Sequence, residues 1–167
     1  MLNFEYALPT RILFGRGMEN RVGEEIRKRN GSRVLLHYGG ESAVKSGLLD
    51  RVCRCLEASG LSYVLAGGVQ PNPRLSKVEE GIRLAKEEKV DFILAVGGGS
   101  VIDSAKGIGY GIANEGDVWD FYSRKRIPEA CAPVGVILTI AASGSETSDG
   151  SVVTNDRNKL KRDVGSD

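Results

Sequence analysis

"DFILAVGGGSVIDSAKGIG", Asp91 to Gly109, is an apolar run halted by three consecutive glycines, after which apolar residues return at helical spacing. A short apolar run without alternation predicts a strand buried on both faces, here Asp91 to Val96. The restart predicts a helix from Ser100 to Ala113. Strand, tight turn and helix in that order are the opening of a βαβ unit.

The same alternation extends outward in both directions. "RVLLHY" (33–38) predicts a buried strand that ends at Gly39 and Gly40. Val44, Leu48, Leu49, Val52 and Leu56 place one apolar face on a helix over 43–60, stopped by Gly60. "LSYVLAGG" (61–68) predicts a second strand, and Pro71 and Pro73 mark a loop before a helix over 75–90. "PVGVILTI" (133–140) predicts the fourth strand. Alternation at this pace implies an α/β fold: a Rossmann-like parallel sheet with helices on both faces, in one domain over 1–167. The flanks differ. Residues 3–15 read as extended structure ahead of a helix from Met18 to Arg29. Ser151 to Thr154 reads as one β-rich segment, "NDRN" as a turn, and the rest as a charged tail.

Ligands of open parallel sheets sit beyond the carboxyl ends of the strands, where Gly97, Gly98 and Gly99 are placed. Residues without Cβ atoms let the backbone approach a bulky anion, and the amides of the first helical turn then point at it. Ser100 can cap that helix or add a hydroxyl. The same turn also suits tight strand-to-helix packing, and the sequence leaves both readings open. Gly39-Gly40, Gly67-Gly68 and the "TIAASGS" loop (139–145) fall at the same sheet edge and suggest a groove of dinucleotide length. Ile102 stands where G-x-G-x-x-G needs glycine or alanine, and neither a Walker-type loop nor G-x-S-x-G occurs. His37, the sole histidine, falls inside a strand and reads as a core residue.

With 41% hydrophobic and 27% charged residues, the composition is that of a globular domain. A net charge of +1 gives no electrostatic argument for nucleic acid or an anionic membrane. No apolar run approaches the roughly 20 residues that span a bilayer. Three cysteines, Cys53, Cys55 and Cys131, lack metal-site spacing and read as free thiols of a cytosolic protein.

"YGGESAVKSGLLDRV" (38–52), "VQPNPRLSKVEEG" (69–81), "AVGGGSVIDSAKGI" (95–108) and "ASGSETSDGSVVTNDRNKLKRDVGSD" (142–167) together resemble the iron-containing alcohol dehydrogenase family, in its butanol-dehydrogenase-like branch. The opening "NFEYALPTRILFGRG" (3–17) is similar as well. The resemblance implies an N-terminal domain that binds NAD(H) or NADP(H), followed by a helical domain. It also implies a metal, Fe²⁺ or Zn²⁺, held by one aspartate and three histidines, with a primary alcohol or aldehyde as substrate. Matched position by position, Gly97, Gly98, Gly99 and Ser100 correspond to the pyrophosphate loop. Gly39, Gly40 and Ser42 correspond to the first-strand cofactor loop, and Asn72 and Lys161 to cofactor contacts. Thr139 and Ser148 correspond to positions flanking the nicotinamide half. Asp103 and Lys106 match motif positions whose alternative reading is a helix-surface pair at i, i+3.

Two departures from the family pattern matter. Glu41 replaces a glycine of the "GGGS" found in relatives that use NADP. A carboxylate there repels a 2′-phosphate by about 1 kcal/mol at 4 Å in bulk water, which predicts a tilt towards NADH. The family's metal ligands lie beyond residue 167. The chain is therefore expected to be an N-terminal domain or a natural remnant that binds cofactor without appreciable turnover. A non-catalytic nucleotide-binding or interaction module, a glycerol dehydrogenase or dehydroquinate synthase type, and a sugar-phosphate binder are the alternatives. An exposed extended segment at the N-terminus predicts a homodimer.

Overall fold

A computed structural model describes residues 9–165, and of Glu41 the backbone alone. Strands β1 (Arg33–Tyr38), β2 (Ser62–Ala66), β3 (Phe92–Gly97) and β4 (Val134–Leu138) form a parallel sheet in the order β2-β1-β3-β4. Val34 lies opposite both Tyr63 and Phe92, and Ile93 opposite Val134. The chain leaves β1 outward to β2 and then returns across β1 to β3. Crossover direction therefore reverses between β1 and β3, and their carboxyl ends frame the crevice that such a reversal opens.

The two-residue period of the strands divides the core. Val34, Leu36, Leu94 and Val96 face one way and pack with Ile26 of α1 (Val22–Arg27), Ala43 of α2 (Glu41–Lys45) and Leu49, Val52 and Leu56 of α3 (Leu48–Ala58). Leu35, Ile93 and Ala95 face the other way, against α4 (Leu75–Glu87) and α5 (Gly99–Ala113). Central β3 is buried at every position, which explains its unbroken apolar run. Asp91 stands just before it. Its carboxylate accepts the amides of Ser32 and Arg33, both at 2.9 Å, and so ties the entrances of β1 and β3 together.

Several elements depart from the sequence reading. The helix expected over 43–60 is broken at Gly47, whose φ of 69° starts α3 afresh. The helix expected from Met18 to Arg29 is a single 3-10 turn, Met18–Arg21, followed by the six residues of α1. Of the extended segment expected over 3–15, residues 3–8 lie outside the described residues, and 9–14 form no strand. The expected charged tail is instead a strand. β5 (Ser151–Asn155) and β6 (Leu160–Val164) pair antiparallel, with Ser151 opposite Val164. This hairpin docks on the start of α4: Thr154 donates its amide to Pro73 O at 2.8 Å, and Asp156 accepts the Ser76 amide at 3.2 Å. Arg157 adds an ion pair to Glu79 at 2.5 Å.

His37 is fully buried, as its place in a central strand implies, and its Nε2 meets Ser104 Oγ of α5 at 2.9 Å. Burial, reinforced by the charge of Lys77 and opposed by Glu80, lowers its pKa to about 4. The unfolded chain takes up this proton near pH 6.5, the folded one only near 4, so stability falls as pH drops through that window. The full shift corresponds to roughly 3 kcal/mol. Urea denaturation at pH 7 and pH 4 should show a loss of that order, and His37→Gln should abolish most of the difference.

Candidate functional site: a glycine crevice at the sheet edge

The three glycines have different work. A Cβ built on Gly97 would lie 2.5 Å from Val101 Cγ2, and one on Gly99 would lie 2.4 Å from Ser143 Oγ. Those two residues permit close packing of the strand end, the helix and the loop after β4. Gly98 is otherwise: nothing lies nearer to its Cβ position than Ile140, at 3.9 Å. Its φ of −96° and ψ of −168° are extended backbone. The packing reading therefore holds at Gly97 and Gly99, while Gly98 is left open.

Gly98 is the N-cap of α5, and its carbonyl accepts from Val101 at 3.0 Å and Ile102 at 3.2 Å. Among the described residues, the amides of Gly98, Gly99 and Ser100 have no protein acceptor. Three successive donors thus stand without an acceptor at the positive end of a 15-residue helix, beside a position with no side chain. Ser100 is the second helical residue and not the cap.

The loop after β4 forms one wall. Thr139 donates its amide to Gly97 O at 3.0 Å, which holds the exit of β4 beside the exit of β3. Beyond it, Gly144, at φ 69°, turns the chain into a 3-10 turn, Ser145–Thr147. Lys106 fastens this loop from beneath. Its buried Nζ donates to Ser145 O at 2.6 Å, Ser145 Oγ at 3.1 Å, Ser148 Oγ at 3.3 Å and Gly150 O at 2.8 Å. Ser145 Oγ in turn donates to Asp103 Oδ1 at 2.6 Å. Asp103 and Lys106 are therefore joined through the Ser145 hydroxyl, and the surface pair read from their spacing gives way to a buried fastening. Burial lowers the Lys106 pKa while Asp103 and Asp149 oppose that; burial likewise raises the pKa of Asp103. Tyr110 OH, donating to Asp149 O at 2.9 Å, and Ser151 Oγ, donating to Asp103 O at 2.7 Å, complete the attachment to α5.

On the opposite side, Gly68 donates its amide to Gly39 O at 3.1 Å, so the exits of β1 and β2 adjoin. Gly40 and Gly68 have no atom within 4 Å of a Cβ position. A cleft of about 420 Å³ continues from Gly68 past Arg74, Ser76 and Lys77. Ser42 is exposed on α2. Asn72 and Lys161, both exposed, meet each other: Lys161 Nζ donates to Asn72 Oδ1 at 2.7 Å. The sequence reading missed Ser143, Ser145 and the fastening by Lys106. The available signal was a lysine between Ala105 and Gly107 on a helix otherwise uncharged over 104–111.

Among the described residues, no three His, Cys, Asp or Glu side chains converge as metal ligands. Those residues also include no helix long and apolar enough to cross a membrane.

The family model described as iron-containing alcohol dehydrogenase matches residues 9–167. The chain is 48% identical over 166 residues to the probable NADH-dependent butanol dehydrogenase 1 of Bacillus subtilis, covering 99% of this chain and 43% of that protein. Against the NADPH-dependent aldehyde reductase YqhD of Escherichia coli it is 41% identical over 159 residues, covering 92% and 40%. The crystal structure of NADH-dependent butanol dehydrogenase A from Thermotoga maritima is similar with a TM-score of 0.96 at 45% identity, covering 98% of this chain and 41% of that one. The chain thus spans about two-fifths of the length of the curated relatives it matches.

The glycines should separate in thermal or urea denaturation. Gly97→Ala forces a methyl onto a β-branched neighbour and should cost about 1–3 kcal/mol. Gly98→Ala should stay within about 0.5 kcal/mol of the parent.

Proposed function

This chain belongs to the iron-containing alcohol dehydrogenase family, and from that premise we propose that it is the dinucleotide-binding part of an NAD(P)-dependent oxidoreductase acting on primary alcohols or aldehydes. The observation that carries the reading is the open position at Gly98, where three acceptor-less amides meet at a helix N-terminus. A diphosphate fits that chemistry: it is anionic, broad and rich in acceptors, and each charge-assisted bond contributes about 1.5–3 kcal/mol.

In this reading Gly98, Gly99 and Ser100 hold the diphosphate, and buried Gly97 lets Val101 pack beneath it. Thr139 and Ser148 flank the nicotinamide half. Gly39, Gly40 and Ser42 receive the adenosine end, and Lys161 and Asn72 exchange their mutual bond for contacts to the cofactor. Asp103 acts through Ser145, keeping its hydroxyl turned inward. When bound, the nicotinamide supplies hydride transfer between alcohol and aldehyde. The Fe²⁺ or Zn²⁺ that the family resemblance implies has no ligand set among the described residues, and no step is assigned to it. Free Cys53, Cys55 and Cys131 suit a reducing cytosol.

Titration by NADH fluorescence tests the reading. The parent should bind, and Gly98→Val should weaken NADH at least roughly tenfold while remaining folded. A parent that gives no binding, or a Gly98→Val variant that binds as the parent does, removes the assignment.

Cofactor choice falls to Glu41, the first residue of α2, next to the open Gly40. Its charge opposes a 2′-phosphate and favours NADH. In Glu41→Gly, the ratio of NADPH to NADH affinity should rise several-fold, in keeping with roughly 1 kcal/mol of repulsion. An unchanged ratio rejects the role.

A further inference from the structure

The fastening of the 145–150 loop carries an inference about this chain that rests on the dinucleotide reading and deepens it. We infer that Lys106 is a positioning residue for the nicotinamide half of the cofactor: it never reaches the crevice, but fixes the wall against which that half lies. The stretch that leads into the fastened loop touches the cradle directly. Ser143 Oγ would be 2.4 Å from a Cβ on Gly99, and Ile140 stands 3.9 Å from that of Gly98. A small displacement of the loop therefore either closes the cradle or leaves its far side without support.

Four oxygens surround the Lys106 ammonium, two of them carbonyls from opposite ends of the loop, Ser145 and Gly150. A single cation thereby sets the span of the loop. Ser148 gives its hydroxyl oxygen to the same ammonium at 3.3 Å and is itself exposed, so Lys106 also orients a surface hydroxyl of the loop. The only hydroxyl of the set that is buried, that of Ser145, is further constrained by Asp103. A lysine can meet these four acceptors because its three protons are disposed about a point charge, one of them shared between two oxygens. Arginine offers a planar fork and methionine offers no donor.

The diphosphate is held elsewhere, by amides of α5 that Lys106 does not touch, which separates the two functions experimentally. ADP carries the adenosine and the diphosphate but no nicotinamide riboside. NADH and ADP are titrated by calorimetry against the parent, Lys106→Met and Lys106→Arg, with thermal denaturation run alongside. Lys106→Met should weaken NADH by a factor of ten or more and ADP by less than three, with Lys106→Arg between parent and methionine. Parent-like NADH binding by folded Lys106→Met overturns the inference, as does an equal loss of NADH and ADP affinity. If the methionine variant does not fold, the NADH-to-ADP split in Lys106→Arg decides by the same criterion. A parent that binds neither ligand overturns the dinucleotide reading itself, a result seen before any variant is made.

Discussion

A strand sealed on both faces has to hand its chain to a helix within two residues, and most of this structure follows from how that is done. β3 is buried along its whole length, and α5 begins immediately after Gly98. Only residues without side chains allow the turn to be this tight with Val101 and Ser143 pressed against it. The same tightness directs three main-chain amides out of the sheet edge. Close packing and free main-chain donors thus come from one constraint, divided between Gly97 and Gly99 on one hand and Gly98 on the other.

Helix α5 is the second element on which the architecture turns. It is buried over 104–111, and it meets β1 through Ser104, the loop through Lys106 and the hairpin through the carbonyl of Asp103. Polar groups on such a helix need partners, because leaving one unsatisfied costs about 1–3 kcal/mol. Each finds its partner on a different segment. The helix therefore collects strand, wall and hairpin around the cradle at its own N-terminus.

The parallel sheet was legible because its strands are short apolar runs stopped by glycine, and the helices because their apolar residues recur at helical spacing. β6 was not. "LKRDV" has four exposed residues out of five and no apolar alternation, and its extended form comes from pairing with β5. The break at Gly47 was hidden for a different reason: apolar residues on both sides keep one helical phase through it. At the site, the glycines could be read because backbone freedom is written in residue type. The task of Lys106 could not, because its partners lie 39 to 44 residues away and two of them are carbonyl oxygens that any sequence supplies. Spacing suggested Asp103 as the partner of Lys106, and tertiary structure placed Ser145 between them.

The four-fold grip on the 145–150 loop also bears on the entropy of association. A free loop of six residues would lose roughly 1–2 kcal/mol of backbone entropy per residue on being ordered by a ligand. Here the ordering is completed during folding, by the Lys106 ammonium. A ligand bound against this loop, as proposed, would meet a surface already shaped, and its affinity would not be diminished by having to immobilise the host.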